Sequence, residues 1–309
     1  SDKYAVAVSG GPDSLSLVFL SQIYSIKEKI PFYYYIVDHK IRKESSYEAK
    51  KIKKKLSKYN VKCKILTWLK KKNYSNIQSN ARNARYNLII KETKKKKIEY
   101  ILTAHHSGDL FENFFIRLLR GSGLKGLSSF NHLSSKIIKD EETKILRPLL
   151  NIEKKDLLHV AKNSFDFFIN DPSNSDNVFL RTRIRKLINK LRNEGLDFNK
   201  FNLTLENLYK SNLTIDYYVK ENIKNNSQIL ILNKSYILNR LFFCQPYEII
   251  FRSISQILYK ISDKYNYTRG AKISNLIKQI TSNKNFKKTY LSGCIFKKVN
   301  NSIVISRES

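Results

Sequence analysis

Two glycines flanked by hydroxyl and carboxyl side chains, Ser9-Gly10-Gly11-Pro12-Asp13-Ser14, lie between an apolar run, Tyr4-Ala5-Val6-Ala7-Val8, and a segment with Leu15, Val18, Phe19, Ile23 and Ile26 at helical spacing. Strand, glycine turn and helix start in that order suit a phosphate. The glycines let the backbone curl and come close to a ligand, and the helix start offers unpaired N–H groups with a partial positive charge. Ser9 and Ser14 add hydroxyl donors, and Asp13 either caps the helix or orients a magnesium ion. A lone Gly-Gly would mark no more than a tight turn; the full pattern at a strand-to-helix switch says more. Its spacing excludes a Walker A loop, which needs Lys after the glycines, and a dinucleotide fingerprint, which needs a third spaced glycine.

Other polar groups sit where apolar runs stop. Asp38-His39 follows Phe32-Tyr33-Tyr34-Tyr35-Ile36-Val37, a run of the kind buried in a parallel sheet, and His105-His106 follows Tyr100-Ile101-Leu102-Thr103-Ala104. Polar residues at strand ends of an α/β sheet lie on its ligand-binding edge. Beyond His106, the residues Leu110, Phe111, Phe114, Phe115, Leu118 and Leu119 form an apolar helical stripe that leaves Asp109 and Glu112 near the helix start. Acids in a first turn also serve the helix dipole with no other role, and paired histidines can be ordinary core or cap residues. Their joint position beside the edge that carries Asp38 points to chemistry. Arg82 and Arg85 lie three apart on one helical face. The three glycines of Leu119-Arg120-Gly121-Ser122-Gly123-Leu124-Lys125-Gly126-Leu127 predict a flexible loop with basic flanks, and Arg181 and Arg185 fall early in a later helix.

The elements that must position these groups alternate. Strand-like runs at 4–8, 32–37, 61–67 and 100–104, separated by helical patterns, predict an α/β fold with a doubly wound, mostly parallel sheet and right-handed crossovers. At 309 residues there is room for two domains. The first is expected over 1–205. A second, smaller and helix-rich one is expected over 206–309, finishing in a short β segment near Lys298 to Ser306.

Hydrophobic residues make up 41% of the chain and aromatic ones 12%, which argues for folded protein. Charge is the outlier: 58 Lys and Arg against 26 Asp and Glu give +32 at pH 7. A polyanionic partner follows, with nucleic acid ahead of an anionic membrane surface. Abundant Lys, Asn, Ile, Tyr and Phe are also what an A/T-rich genome over-supplies, so runs such as Lys94 to Lys97 and Lys53 to Lys55 read as solvated helix faces. Cys63, Cys244 and Cys294 are far apart and odd in number, which disfavours a disulfide framework, a zinc site or a CxxC pair. No apolar stretch is long enough to span a bilayer, and a cytoplasmic protein without a membrane partner is expected.

SGGPDS resembles the pyrophosphate-binding loop of the PP-loop ATP pyrophosphatases, which split ATP into AMP and pyrophosphate while adenylating a substrate oxygen. Followed in order by VDHKIR, ARNARY, AHHSGDLFEN, LRGSGLKGL, RPLL, DPSN and RTRIR, it makes the chain similar to the tRNA(Ile)-lysidine synthetases. Arg269-Gly270-Ala271-Lys272 and Leu291 to Lys298 resemble that family's C-terminal domain, in its shorter architecture with one such domain. The resemblance implies a PP-loop, adenine nucleotide alpha hydrolase-like catalytic domain over 1–205 and a tRNA-binding domain over 206–309. It implies ATP and magnesium as cofactors, and free L-lysine and the tRNA(Ile) with a CAU anticodon as partners. A homodimer is left open. Asp38, Arg85, Asp109 and Glu112 would be catalytic. Ser9, Gly10, Gly11, Pro12, Asp13, Ser14, His39 and His105 would hold ATP, with Asp13 and Asp109 on magnesium. Arg82, Arg120, Gly121, Gly123, Lys125, Arg181 and Arg185 would meet tRNA; the basic and aromatic cluster of Tyr265, Tyr267, Arg269 and Lys272 suits gripping its body or acceptor stem, with buried core the alternative for the two tyrosines. The chain departs from the family pattern at Gly108 and Leu110, where an acid and an amide are common, and at Asn113 and Thr182. Two alternatives remain at this level: another PP-loop tRNA-modifying enzyme, such as a thiolase, and a non-catalytic tRNA-binding module.

If the positive charge serves RNA, the logarithm of tRNA affinity falls with the logarithm of salt concentration. The expected slope is about −0.7 to −0.9 per neutralised phosphate in a filter-binding titration. A flat response assigns the charge to compositional drift.

Overall fold

The computed structural model describes residues 3–40, 44–69, 77–130, 133–138, 141–169, 180–230, 235–262, 269–282 and 286–308, with backbone alone at 77–79, 82, 133–138, 141–142 and 262. Ile41-Arg42, the Asp171-Pro172-Ser173-Asn174 turn, Tyr265, Tyr267 and the Arg82 side chain lie outside the described residues. The chain separates into two compact units, Ser1–Leu205 and Glu206–Ser309.

In the first unit the apolar runs become β1 (Tyr4–Val8), β2 (Phe32–Asp38), β3 (Cys63–Thr67) and β4 (Tyr100–Leu102). They join β5 (Leu133–Ile138) and β6 (Glu141–Leu146) in one sheet of order β3-β2-β1-β4-β6-β5. Five strands run parallel, and β5 is antiparallel to β6 at the edge. Ala5 stands between Tyr33 and Ile101, and Val6 between Tyr34 and Leu102. Because successive side chains point to opposite faces, both faces fill. Val6, Val8, Ile36 and Leu102 meet α1 (Pro12–Glu28), α2 (Ser45–Ser57) and α6 (Lys154–Ser164) through Leu15, Val18, Ile52, Leu56, Leu157 and Ala161. On the other face Ala5, Tyr35, Ile101 and Ile145 meet Tyr86, Ile89 and Ile90 of α3 (Ile77–Lys95). Burial of each large aliphatic side chain contributes about 1.5–3 kcal/mol against exposure, and this two-sided core makes the parallel sheet stable.

The winding places the site. From β1 the chain moves outward to β2 and β3, then returns to lay β4 on the other side of β1. The carboxyl ends of β1 and β4 therefore flank the point where strand order reverses, the crevice in which α/β sheets bind ligands. Periodicity captured α1 as a helix but not its facing: Ile23 and Ile26 lie on its solvent side, Ile26 at 80% exposure, while Leu15 and Val18 are buried. The apolar stripe of α4 (Ser107–Leu119) divides likewise, with Leu110 and Phe111 buried and Leu118 and Leu119 exposed. Phe111 stacks on Phe201 at 4.2 Å between ring centroids.

The second unit combines helix with more strand than its sequence pattern showed. The last helix before it, α7 (Leu180–Asn193), precedes α8 (Phe198–Asn226), inside which the boundary falls. Short strands β7 (Ser227–Leu230), β8 (Ser235–Leu238), β9 (Lys288–Leu291), β10 (Cys294–Val299) and β11 (Ser302–Arg307) form an antiparallel sheet of order β7-β8-β11-β10-β9. One sheet face packs Leu238, Phe296, Ile303 and Ile305 on α9 (Tyr247–Ser262) and α10 (Gly270–Ser282). The expected β segment near Lys298 to Ser306 is one turn of this five-stranded sheet. Strands of four to six residues with one face open to water carry too few apolar positions to stand out in sequence. Arg252, buried on α9, donates to Asn212 (2.6 Å), Asp216 (3.1 Å) and Glu248 (2.7 Å), so its charge is fully met.

The turn after β1 sets a sharp steric test. Gly10 has φ +81°, and a Cβ there would lie 2.4 Å from Ile52 Cδ1 and 2.7 Å from its Cγ1. Gly10→Ala is expected to lower stability by about 2 kcal/mol or more in denaturant unfolding, from overpacking and left-handed strain together. Gly11→Ala, whose added Cβ finds nothing closer than 3.9 Å, should unfold within about 0.5 kcal/mol of wild type.

Candidate active site

Ser14 organises the glycine turn. Its buried hydroxyl accepts the N–H groups of Ser9 (3.2 Å) and Gly10 (3.0 Å) and donates to the Gly11 carbonyl (3.0 Å). Ile169 N–H, beyond α6, donates to the Gly10 carbonyl at 2.9 Å. The Gly10 N–H and the Ser14 hydroxyl, both expected to face a phosphate, are thus committed to holding the loop. What the loop presents is the Gly11 backbone, the exposed Ser9, and the first-turn N–H groups of α1, which have no acceptor within their own helix. Pro12 opens α1, where its missing N–H costs nothing.

Beside this turn, α4 begins with a capping box. His106 Nδ1 accepts Gly108 N–H at 3.0 Å, and Asp109 Oδ2 accepts His106 N–H at 3.1 Å. With Nδ1 as acceptor, the neutral ring carries its proton on Nε2, which faces Asp13 Oδ2 and Asp109 Oδ2, each at 3.8 Å. In this arrangement a Cβ on Gly108 would lie 2.7 Å from His106 Cε1, so a side chain there would require the ring to shift. Asp13 Oδ1 is buried and makes no hydrogen bond. Burial raises the Asp13 pKa, the neighbouring Asp109 adds to the rise, and the charges of His106, Lys154 and Arg185 only partly offset it.

One turn along α4, Glu112 is 4% exposed and accepts Nε of Arg185, from α7, and its Nη2 at 3.5 Å. Burial opposes the Arg185 charge, yet Glu112, Asp109 and Asp13 more than offset it and hold the guanidinium above its ordinary value. Asp13, Asp109, Glu112 and Arg185, four predicted site residues, therefore meet in one charge-linked group. His106, noted with His105 at a strand end but given no role of its own, joins them, as does Lys154, which was not singled out. The His106-to-Asp109 spacing of a capping box was the available signal for the first; Lys154 carries no sequence signal.

At the end of β2 the acid has another setting. Asp38 accepts the Lys40 N–H (3.0 Å) and the hydroxyls of Ser45 (2.9 Å) and Ser46 (2.6 Å), so it anchors the start of α2. Burial raises its pKa, but these donors prevail and hold it below the usual carboxylate range. An acid so tied down is a poor proton acceptor, and it remains a carboxylate at the end of β2. Its neighbour His39 accepts Arg85 Nε at 3.3 Å through Nε2, while the His39 Nδ1 is buried without a hydrogen-bond partner. Burial first, and the Arg85 charge second, push the His39 pKa down to about 4, so the imidazole is neutral. Trp68 packs edge-on to it at 6.3 Å and borders a cleft of about 300 Å³ lined by Asn80, Asn83, Ala84, Asn87 and Leu88 of α3. His105 has Nδ1 at 2.9 Å from Thr103 Oγ1 and its ring against Phe130.

The glycine-rich segment after α4 is braced. Arg120 caps α4, Gly121 takes φ +66°, and Gly123 opens the short α5 (Leu124–Leu127). Arg117 donates to Asn113 Oδ1 (2.6 Å) and to the Gly126 carbonyl (2.9 Å), which holds Arg120 and Lys125 out in solvent. Arg117 was missed because its role lies in a backbone contact. Arg181 is exposed on α7. Among the described residues, no three His, Cys, Asp or Glu side chains group closely enough to hold a metal alone, and no helix is long and apolar enough to cross a membrane.

Residues 1–191 match the PP-loop domain family. Over 309 residues the chain is 32% identical to the tRNA(Ile)-lysidine synthase of Rickettsia felis, covering 99% of this chain and 70% of that protein. It is 33% identical over 316 residues to the Wolbachia pipientis wMel protein of the same name, covering 100% of this chain and 71% of that one. The Orientia tsutsugamushi protein of that name is 41% identical over 189 residues, 61% of this chain and 42% of that protein. Among solved structures, the U34-tRNA thiolase NcsA from Methanococcus maripaludis with its [4Fe-4S] cluster gives a TM-score of 0.56 at 18% identity, over 68% of this chain and 73% of that one. The last likeness concerns the fold.

The Glu112–Arg185 pair joins α4 to α7 across 73 positions of sequence. Glu112→Gln leaves a partly buried guanidinium short of its counter-charge and is expected to destabilise by about 1–3 kcal/mol. A double-mutant cycle with Arg185→Gln should return a coupling of about 1 kcal/mol or more; additive losses would show the two act independently.

Proposed function

The chain belongs to the tRNA(Ile)-lysidine synthases of the PP-loop family, and we propose that it performs their reaction: ATP-dependent ligation of lysine to the wobble cytidine of the tRNA(Ile) with a CAU anticodon. The observation that carries the reading is the convergence of a phosphate-type turn, the Asp13–His106–Asp109 group and the Glu112–Arg185 pair at the β1/β4 switch point. It stands in a chain similar to the named relatives along its length.

The chemistry has two steps. The cytidine carbonyl oxygen at carbon two forms a bond to the α-phosphorus of ATP as pyrophosphate leaves. The lysine ε-nitrogen then bonds to carbon two as the C–O bond breaks, AMP departs with that oxygen, and the amine gives up a proton. In this reading the Gly11 backbone, Ser9 and the α1 first turn take the phosphates, and Arg85, oriented by His39, faces the charge that develops on them. Free lysine has a side-chain pKa of about 10.4, so its amine must be relieved of a proton before attack. Asp109, fixed by the capping box and facing His106, is the proposed acceptor. Glu112, buried and paired with Arg185, seats the amine by charge. Arg120, Lys125 and Arg181 are exposed cations available to the tRNA backbone.

The residues suit magnesium. Asp13 offers a buried oxygen without a hydrogen-bond partner beside Asp109, and this ion commonly uses one or two carboxylates with phosphate oxygens completing its shell. When bound it would neutralise phosphate charge. A thiolase reading gains no support from the cysteines. Cys63 is buried with its thiol pushed up to about 12, and Cys294 is buried in the second unit.

AMP release from ATP, measured with a CAU-anticodon tRNA(Ile) transcript with and without lysine and followed by mass analysis of the wobble nucleoside, tests the reading. AMP that depends on tRNA, with lysine on that cytidine, is expected; AMP without incorporation sends the chemistry to another nucleophile. Asp109→Asn should lower turnover at least ~100-fold, and activity within a few-fold of wild type removes Asp109 from the proton-accepting role.

A further inference from the structure

Arg117 lies half-buried in the last turn of α4, and both its backbone and its side chain are engaged. Its carbonyl accepts the N–H groups of Arg120 (3.1 Å) and Ser122 (3.0 Å), which turns the chain out of the helix. Its guanidinium reaches forward to the Gly126 carbonyl through Nη1 (2.9 Å) and back to Asn113 Oδ1 through Nε (2.6 Å). The Ser129 hydroxyl donates to the same Gly126 carbonyl at 2.8 Å. The far end is held as well. Phe130 is buried, with the Arg147 guanidinium carbon 4.6 Å from its ring centroid and the His105 ring edge-on at 5.2 Å. The glycine-rich segment, expected from its composition to be a flexible loop, is therefore tied at its start, across its middle and at its end.

This bracing sets where two cations stand. Arg120 and Lys125 are both exposed, on either side of a turn in which Gly121 takes φ +66°. An RNA that met the same cations on a loose segment would have to order it on binding, and that entropy would be taken from the affinity. Only a planar fork with fixed donor directions holds two acceptors in this way; an ammonium is a point charge without that geometry. We propose that Arg117 is a positioning residue: without touching substrate, it fixes the glycine-rich segment so that Arg120 and Lys125 form a preformed pair for the tRNA of the function proposed above, on which this inference rests.

The test uses the full chain and a tRNA(Ile) transcript, with the Kd for tRNA, the KM for ATP, turnover and thermal unfolding recorded for each variant. Arg117→Gln is expected to raise the Kd for tRNA about five-fold or more, with turnover at saturating tRNA and the KM for ATP within about two-fold of wild type. Arg117→Lys keeps the charge and loses the fork, and should lose as much. Asn113→Ala removes the acceptor of Nε without altering charge and should weaken binding in the same direction, by about two-fold or more. A mutant cycle decides between positioning and mere stability. In a chain that already carries Arg120→Gln and Lys125→Gln, Arg117→Gln should cost less than about two-fold further, because the cations it positions are gone. An equal loss in both backgrounds, or an Arg117→Lys variant that binds as wild type does, overturns the positioning role. If Arg117→Gln fails to fold, Asn113→Ala takes its place in the same cycle. Variants that bind like wild type in an active enzyme overturn this inference alone; a wild-type chain that does not bind the transcript overturns the tRNA reading, and this inference with it.

Discussion

Everything at the candidate site depends on one backbone turn. Gly10 must adopt a left-handed φ of +81° with Ile52 where a side chain would begin, so β1 can end and α1 can start within three residues. The Ser14 hydroxyl closes that turn with three hydrogen bonds and uses up groups that look, from their types alone, like ligand donors. In exchange the first turn of α1 arrives at a fixed place, which brings Asp13 against His106. A turn one residue longer would point Asp13 elsewhere on the helix.

Electrostatics then divides the acids by environment. Asp38 is surrounded by donors and stays ionised below its usual range. Asp13 has a buried oxygen without a donor and a neighbouring carboxylate, and its pKa rises. Glu112 is buried but answered by Arg185. Carboxylates whose surroundings push their protonation apart are those to which different roles can fall. His106 binds this group together by chemistry that depends on its tautomer: one ring nitrogen caps α4, which leaves the other as a donor toward two carboxylates.

The second unit solves a different problem. Its sheet buries one face under two helices and leaves the other to lysines, a tyrosine and half-buried aliphatic residues. The apolar face packs on these helices, and Arg252 is met by Glu248, Asn212 and Asp216. A net charge of +32 is then a surface property with locations and not only a composition.

Sequence alone determined the alternation of strands and helices in the first unit, the glycine turn from strand to helix, the acids and histidines at the strand ends, and the order of the motifs. These are local matters: the period of apolar residues, the conformational freedom of glycine, and residue types at fixed spacing. Tertiary structure decided which of those groups are free to act. Asp38 is tied to Ser45 and Ser46, and Ser14 turned inward. His106 came to stand between Asp13 and Asp109, and Arg117 took the glycine-rich segment by a backbone carbonyl. The facing of Ile23 and Ile26, and the sheet of the second unit, were likewise settled by what packs against them. The reason is common to all of them: a hydrogen bond or a buried face is a relation between residues distant in the chain, such as Glu112 and Arg185, and no local pattern encodes the partner.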